Sequence, residues 1–108
     1  MEELAKRHCV PCEGGVPALQ GGAIMRLLGE LGGSWQSVEA HHLRNEYGFP
    51  DFASALGFVN RIGALAEEEG HHPDLQLGWG KVVVELHTHK IDGLTISDFI
   101  LAARIDNL

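Results

Sequence analysis

The sequence predicts an α+β two-layer sandwich, a four-stranded antiparallel sheet with helices packed on one face in the order α-β-β-α-β-β-α. Three observations carry that prediction. Apolar residues recur at helical spacing in some segments, alternate with polar residues in the segments between, and Gly, Pro or Asp punctuates the joins. With 108 residues, 44 % of them hydrophobic and 21 % charged, the chain suits one compact domain spanning 1–108, with residues 1–20 as an extended N-terminal arm.

Ile24, Leu27, Leu28 and Leu31 fall at i, i+3, i+4 and i+7, which predicts a helix over about 22–31 that Gly32-Gly33 ends. From Ser34 to Phe49, Trp35, Val38, Leu43, Tyr47 and Phe49 alternate raggedly with polar residues, which suits two strands joined near Ala40 to His42. Pro50-Asp51 stops the second strand, and Asp51 is placed to cap a helix over about 52–69 with Gly70 at its far end. On that helix Phe52, Leu56, Val59, Ile62, Gly63 and Ala66 form the stripe expected to be buried. Leu75 to Trp79 and Lys81 to His89 read as a hairpin, with Gly80 expected to supply a positive φ at the turn. Alternation along the second of these strands sends Val82, Val84, Leu86 and Thr88 toward the helices, and Val83, Glu85, His87 and His89 to the other face. A T-x-x-D box at Thr95 to Asp98 opens a last helix to about Asp106. Its segment Phe99 to Ala103 is apolar on all sides, which points to burial against another subunit.

A net charge of −7 lacks the basic footprint that direct nucleic-acid binding requires. No apolar run approaches the roughly 20 residues of a membrane helix, and the acidic start MEELAKRHCVPCEGG does not resemble a secretory signal, so the expected location is cytoplasmic. Cys9 and Cys12 are spaced C-x-x-C, which reads as free thiols of the arm, as half of a metal site with His8, or as a redox pair. The surrounding Pro11, Glu13, Gly14, Gly15 and Pro17 favour the free thiols, and no fourth zinc ligand can be nominated. No serine sits in a nucleophile elbow and no glycine motif for nucleotides is present.

The chemistry is therefore sought among seven histidines. His71-His72 follows a helix end, with Pro73 biasing His72 toward an extended conformation. His41-His42 is a second such pair. His89 lies 18 residues after His71, beyond a hairpin that folds back toward that loop, so His71, His72 and His89 are expected to line one cleft. Imidazole, with an unperturbed pKa of about 6.5, can give or take a proton near neutral pH.

Leu43-Arg44-Asn45-Glu46-Tyr47-Gly48-Phe49-Pro50-Asp51-Phe52, then Ala66-Glu67, His71-His72-Pro73-Asp74, Trp79, Thr88-His89, Gly93-Leu94-Thr95 and Asp98 stand in the order found in the pterin-4a-carbinolamine dehydratases. The chain resembles that family from Trp35 through Ile105, and its Cys9 to Pro17 arm is similar to those of bacterial members. The resemblance implies dehydration of 4a-hydroxytetrahydrobiopterin to the quinonoid dihydropterin, a step that recycles pterin after aromatic amino-acid hydroxylation, with no metal and no organic cofactor. It implies His71 and His89 as the acid/base pair, with His72 completing the catalytic set by helping to hold the pterin. Glu67, Pro73, Asp74, Trp79 and Thr88 would form the substrate-binding set, Glu67 as a supporting carboxylate and Asp74 binding either the loop or the guanidine-like edge of the substrate. Asp98 is expected to be structural, at the third position of the last helix where a carboxylate meets unsatisfied N–H groups.

Two positions depart from the family pattern: Leu75, where many relatives carry an aromatic, and His87, two residues before His89, which could perturb its neighbour by proximity. The exposed edges of a four-stranded sheet and the apolar last helix predict a homodimer or homotetramer. A non-catalytic dimeric adaptor for a transcription factor or an enzyme assembly is the competing reading, because folds are reused.

Overall fold

The computed structural model describes residues 3–9 and 17–108, so Cys12 and the turn-rich centre of the arm lie outside the described residues. The elements are α1 (Gly21–Leu31), β1 (Gln36–Val38), β2 (His42–Gly48), α2 (Phe52–Glu69), β3 (Asp74–Gly78), β4 (Lys81–Leu86) and α3 (Ile96–Asp106), with short 3-10 turns at Leu4–Lys6 and His89–Ile91. This is the α-β-β-α-β-β-α order expected. The sheet runs β1-β2-β4-β3 with every neighbouring pair antiparallel, so the two hairpins are joined through the central β2–β4 pair. Leu43, Asn45 and Tyr47 stand opposite Leu86, Val84 and Val82 across that pair, and these positions turn toward the helices. Val83, on the other face, is also buried.

Helix α2 begins and ends where its caps require. Asp51 accepts the Ser54 N–H at 2.7 Å, and Gly70 closes the helix in the left-handed region at φ 65°, a conformation that glycine adopts at no steric cost. Its buried face is Ala55, Phe58, Ile62, Leu65 and Ala66, while Phe52, Leu56 and Gly63 of the expected stripe are exposed. The helix carries apolar residues on two adjoining stripes, and period alone does not choose between them. Gly80 is likewise required for a different reason than expected. Its φ is not positive; a Cβ there would lie 2.9 Å from the Phe49 carbonyl oxygen, whose own residue donates its N–H to Gly80 O at 2.8 Å.

The largest correction concerns α3. Phe99, Ile100, Leu101 and Ala102 are completely buried within this one chain, so their apolarity needs no second subunit. The arm supplies part of the cover. Leu4 of the first 3-10 turn is buried in the core cluster, so the described segment 3–9 of the arm is docked on the domain. Glu69, the last residue of α2, fixes it in place, and its side chain is only 3 % exposed. It accepts from the Cys9 N–H at 2.8 Å, meets His8 Nδ1 at 2.9 Å and pairs with Arg104 of α3 at 2.8 Å. Burial pushes this carboxyl up, but the His8 and Cys9 hydrogen bonds and the Arg104 charge outweigh it and bring it down to about 2.

The same environment bears on the arm's cysteine. Burial first, then the Glu69 carboxylate beside it, raises the Cys9 thiol to about 12, so it remains a protonated thiol at neutral pH and donates toward Ser97 O at 3.5 Å. A metal ligand or redox thiol needs the opposite shift. Among the described residues no helix is long and apolar enough to cross a membrane.

Candidate active site

Four segments meet at one end of the sheet: the loop after α2, the start of β3, the residues following β4 and the first turn of α3. Thr95 and Asp98 form the capping box of α3, with the Thr95 N–H donating to Asp98 Oδ2 at 2.9 Å. Asp98 also does more than cap. Its side chain is fully buried, its Oδ2 accepts the Thr88 hydroxyl at 2.8 Å, and its Oδ1 lies 2.6 Å from His71 Nε2. The Thr95 hydroxyl, 2.8 Å from Thr88 Oγ1, completes the set. The expectation of a structural Asp98 is thus half of its role, and the missed half is the hydrogen bond to His71.

The local sequence explains how His71 reaches that carboxylate. Gly70 turns the chain out of α2, and the His71 N–H caps the helix by donating to Ala66 O at 3.2 Å. The imidazole, 12 % exposed, then spans the gap to α3. Because the carboxylate accepts, Nε2 carries the proton, and the neutral ring presents its lone pair at Nδ1.

Strand β4 ends at Leu86, earlier than expected, but its alternation continues in effect: Thr88 is buried while His87 stays partly exposed. His89 opens a 3-10 turn with its ring largely in solvent, its Nε2 4.0 Å from Asp74 Oδ2 and its plane stacked on His87 at 4.2 Å. Asp98 therefore ties the two imidazole-bearing segments together, holding His71 on one oxygen and Thr88, the neighbour of His89, on the other. Burial, then the adjacent His89 and His41, lower the pKa of His87 below the ordinary imidazole value.

The remaining expected residues separate from this network. His72, preceding Pro73, turns outward and meets Glu67 Oε2 at 3.1 Å on the exposed surface, so Glu67 supports His72 rather than His71, and His72 stands outside the hydrogen bonds centred on Asp98. Trp79 is 71 % exposed at the tip of the β3–β4 hairpin. Asp74 opens that strand, so at about 3.3 Å per residue the indole lies about 17 Å away from the histidines and is not brought to them within one chain. Sequence reasoning also passed over His41. It sits at the β1–β2 turn, contacts Asp92 at 2.6 Å and places its ring 4.7 Å from that of His87; the signal was present only as one of two His-His pairs.

Comparison with known proteins bears on the arrangement as a whole. Residues 17–108 match the profile of a family described as pterin 4 alpha carbinolamine dehydratase. A protein of Rubrobacter xylanophilus, provisionally named a pterin-4-alpha-carbinolamine dehydratase, is 55 % identical over 108 residues, covering all of both chains. One from Rickettsia bellii with the same provisional name is 56 % identical over 105 residues, 97 % of this chain and 93 % of the other. Among solved structures, a transcriptional coactivator/pterin dehydratase from Brucella melitensis superposes with a TM-score of 0.79 at 28 % identity, over 84 % of this chain and 97 % of that one. A pterin dehydratase-like protein described as a RuBisCO assembly factor in the alpha-carboxysome aligns with a TM-score of 0.61 at 25 % identity, over 71 % of this chain and 90 % of its own.

Proposed function

The chain belongs to the pterin 4 alpha carbinolamine dehydratase family, and from that premise we propose that it removes water from a 4a-hydroxytetrahydropterin by histidine acid/base catalysis. The observation that carries this reading is the buried Asp98 carboxylate holding His71 Nε2 at 2.6 Å. It presents a lone pair at Nδ1, which makes the neutral ring a base of fixed orientation. In the reaction the C4a–oxygen bond breaks as the hydroxyl accepts a proton and leaves as water. The adjoining ring nitrogen gives up its proton as the C=N double bond forms.

His71 takes the ring-nitrogen proton and His89 delivers one to the leaving hydroxyl. Asp74, 4.0 Å from His89, places negative charge where the imidazolium must exist. The exposed His72–Glu67 pair borders the site and offers hydrogen bonds to the pterin's polar edge. The reading uses no cofactor and places the chain in the cytoplasm, consuming a product of aromatic hydroxylation.

The test follows the decay of chemically prepared 4a-hydroxytetrahydropterin by absorbance. Wild type accelerates it, and His71→Ala and His89→Ala each lose about 10²- to 10⁴-fold, the ordinary worth of a positioned acid or base. His87→Ser, which removes a ring held toward its neutral form, leaves turnover largely intact. A loss there comparable to that of His71→Ala would show that the proton-transfer roles are wrongly assigned. No acceleration by folded wild type favours the second reading, a dimeric adaptor, which the coactivator and assembly-factor descriptions of the two solved relatives support.

A further inference from the structure

Beside the proposed acid/base residues lies a second cluster that the dehydration chemistry does not use. His41, His87 and Asp92 each offer one ligand atom within 4.8 Å of the other two. They come from three places in the chain: the β1–β2 turn, the residues after β4 and the end of the second 3-10 turn. Among the described residues, the non-glycine positions in the left-handed region are Glu39, Ala40 and Asp92, with φ of 53°, 55° and 51°. All three set the positions of this cluster, two of them immediately before His41 and the third within it. Such backbone conformations persist where the surrounding structure holds them, and they concentrate at ligand sites.

His41 is held at both ring nitrogens. Its Nδ1 lies 3.0 Å from His42 Nδ1, and its Nε2 lies 2.6 Å from Asp92 Oδ1. A divalent cation competes with the proton for the His41 and Asp92 atoms of that second contact. His87 adds a third donor atom within 4.8 Å of the other two.

We propose that His41, His87 and Asp92 form a zinc-class divalent metal site, with the His42 ring, 3.0 Å from His41 Nδ1, as the outer neighbour that orients His41. Two imidazoles and one carboxylate suit a tetrahedral zinc ion with water in the fourth position. His87 is also within 4.8 Å of donor atoms on Asp74 and His89. Those two are separated by 4.0 Å and belong to the proposed acid/base site, whereas His41 and Asp92 are already in contact.

The experiment titrates untagged, metal-free protein with Zn²⁺ by calorimetry, and with Co²⁺ by visible absorbance, independently of any pterin turnover. Wild type binds one ion per chain. His41→Ala and Asp92→Asn, the second nearly isosteric and chosen so that folding is retained, each weaken binding by at least about tenfold. His72→Ala, which disrupts another exposed His–carboxylate pair, and the Cys9→Ser/Cys12→Ser double variant bind as wild type does. Absence of stoichiometric binding means that the His41–Asp92 contact is a hydrogen bond and nothing more, and overturns the proposal. So does an equal loss in His72→Ala, which would indicate diffuse surface binding, or a loss in the cysteine variant with retention in His41→Ala.

Discussion

Asp98 and Glu69 are built alike and put to different use. Each is a carboxylate almost removed from solvent, each accepts a backbone N–H, and each meets a histidine: His71 at 2.6 Å for Asp98, His8 at 2.9 Å for Glu69. The difference is in what balances the charge. Glu69 has Arg104 at 2.8 Å, a permanent cation, and its histidine is 75 % exposed. Asp98 is surrounded by hydroxyl and amide donors, with His71 as its titratable partner. A carboxylate neutralised by arginine makes a clasp, because the guanidinium that balances it keeps its charge at every ordinary pH. One balanced by imidazole makes a site, because the compensating proton can come and go.

The sharpest way to break this contrast is Asp98→Asn. The amide keeps an oxygen for the Thr95 N–H and the Thr88 hydroxyl, but puts an NH₂ group opposite His71 Nε2. The ring must then accept at Nε2 and carry its proton on Nδ1, which inverts the face offered to substrate. Turnover falls by about 10²- to 10⁴-fold, while folding persists at a cost of about 1–3 kcal/mol for the altered network. Dehydratase assays alongside thermal unfolding separate the two effects. Asp98→Asn with wild-type turnover would reduce Asp98 to a helix cap.

That double role also marks how far the sequence could be read. The T-x-x-D box located α3 and assigned Asp98 its capping duty, since both partners lie within four residues. The His71 contact spans 27 residues and leaves no local trace. Likewise Asp51 and Gly70 gave both ends of α2, whereas its buried face depended on which neighbour it packs against. Alternation placed Thr88 and His89 on opposite faces, but not the early end of β4. Read alone, the apolar α3 points to another subunit because the arm that helps to cover it has no periodicity, and nothing in the sequence beside Glu69 marks it as the residue that meets Cys9 and Arg104. What was legible was chemistry carried by near neighbours and by the family pattern; what was not depended on long-range docking.

Glu69→Gln tests the clasp, with an effect expected on stability alone and none on the proton-transfer groups. Losing the charge that Arg104 and His8 meet costs about 1–3 kcal/mol at pH 7. The pH dependence has a definite sign. The folded carboxyl sits near 2 against about 4.5 in the unfolded chain, so the folded state binds fewer protons between those values. Its contribution is complete above about pH 4.5 and is lost as pH falls toward 2. Urea unfolding across that range shows wild type losing more stability than Glu69→Gln. Parallel curves would mean that the clasp carries no net electrostatic weight.

His8→Ala has the smallest expected effect. His8→Ala removes from Glu69 the counterpart of what His71→Ala removes from Asp98. His8 is largely in solvent, where a pair is worth about 0–1 kcal/mol, and Arg104 and the Cys9 N–H remain in place after it is lost. Unfolding free energy therefore moves by less than about 1 kcal/mol and turnover does not move at all. Two histidines on two similar carboxylates would thus differ by orders of magnitude in consequence. If His8→Ala instead lowered turnover, the arm would have to communicate with the site through α3, whose first turn holds Asp98 and whose last holds Arg104. The separation between clasp and catalyst would then be one of degree, set by how rigidly that single helix is seated.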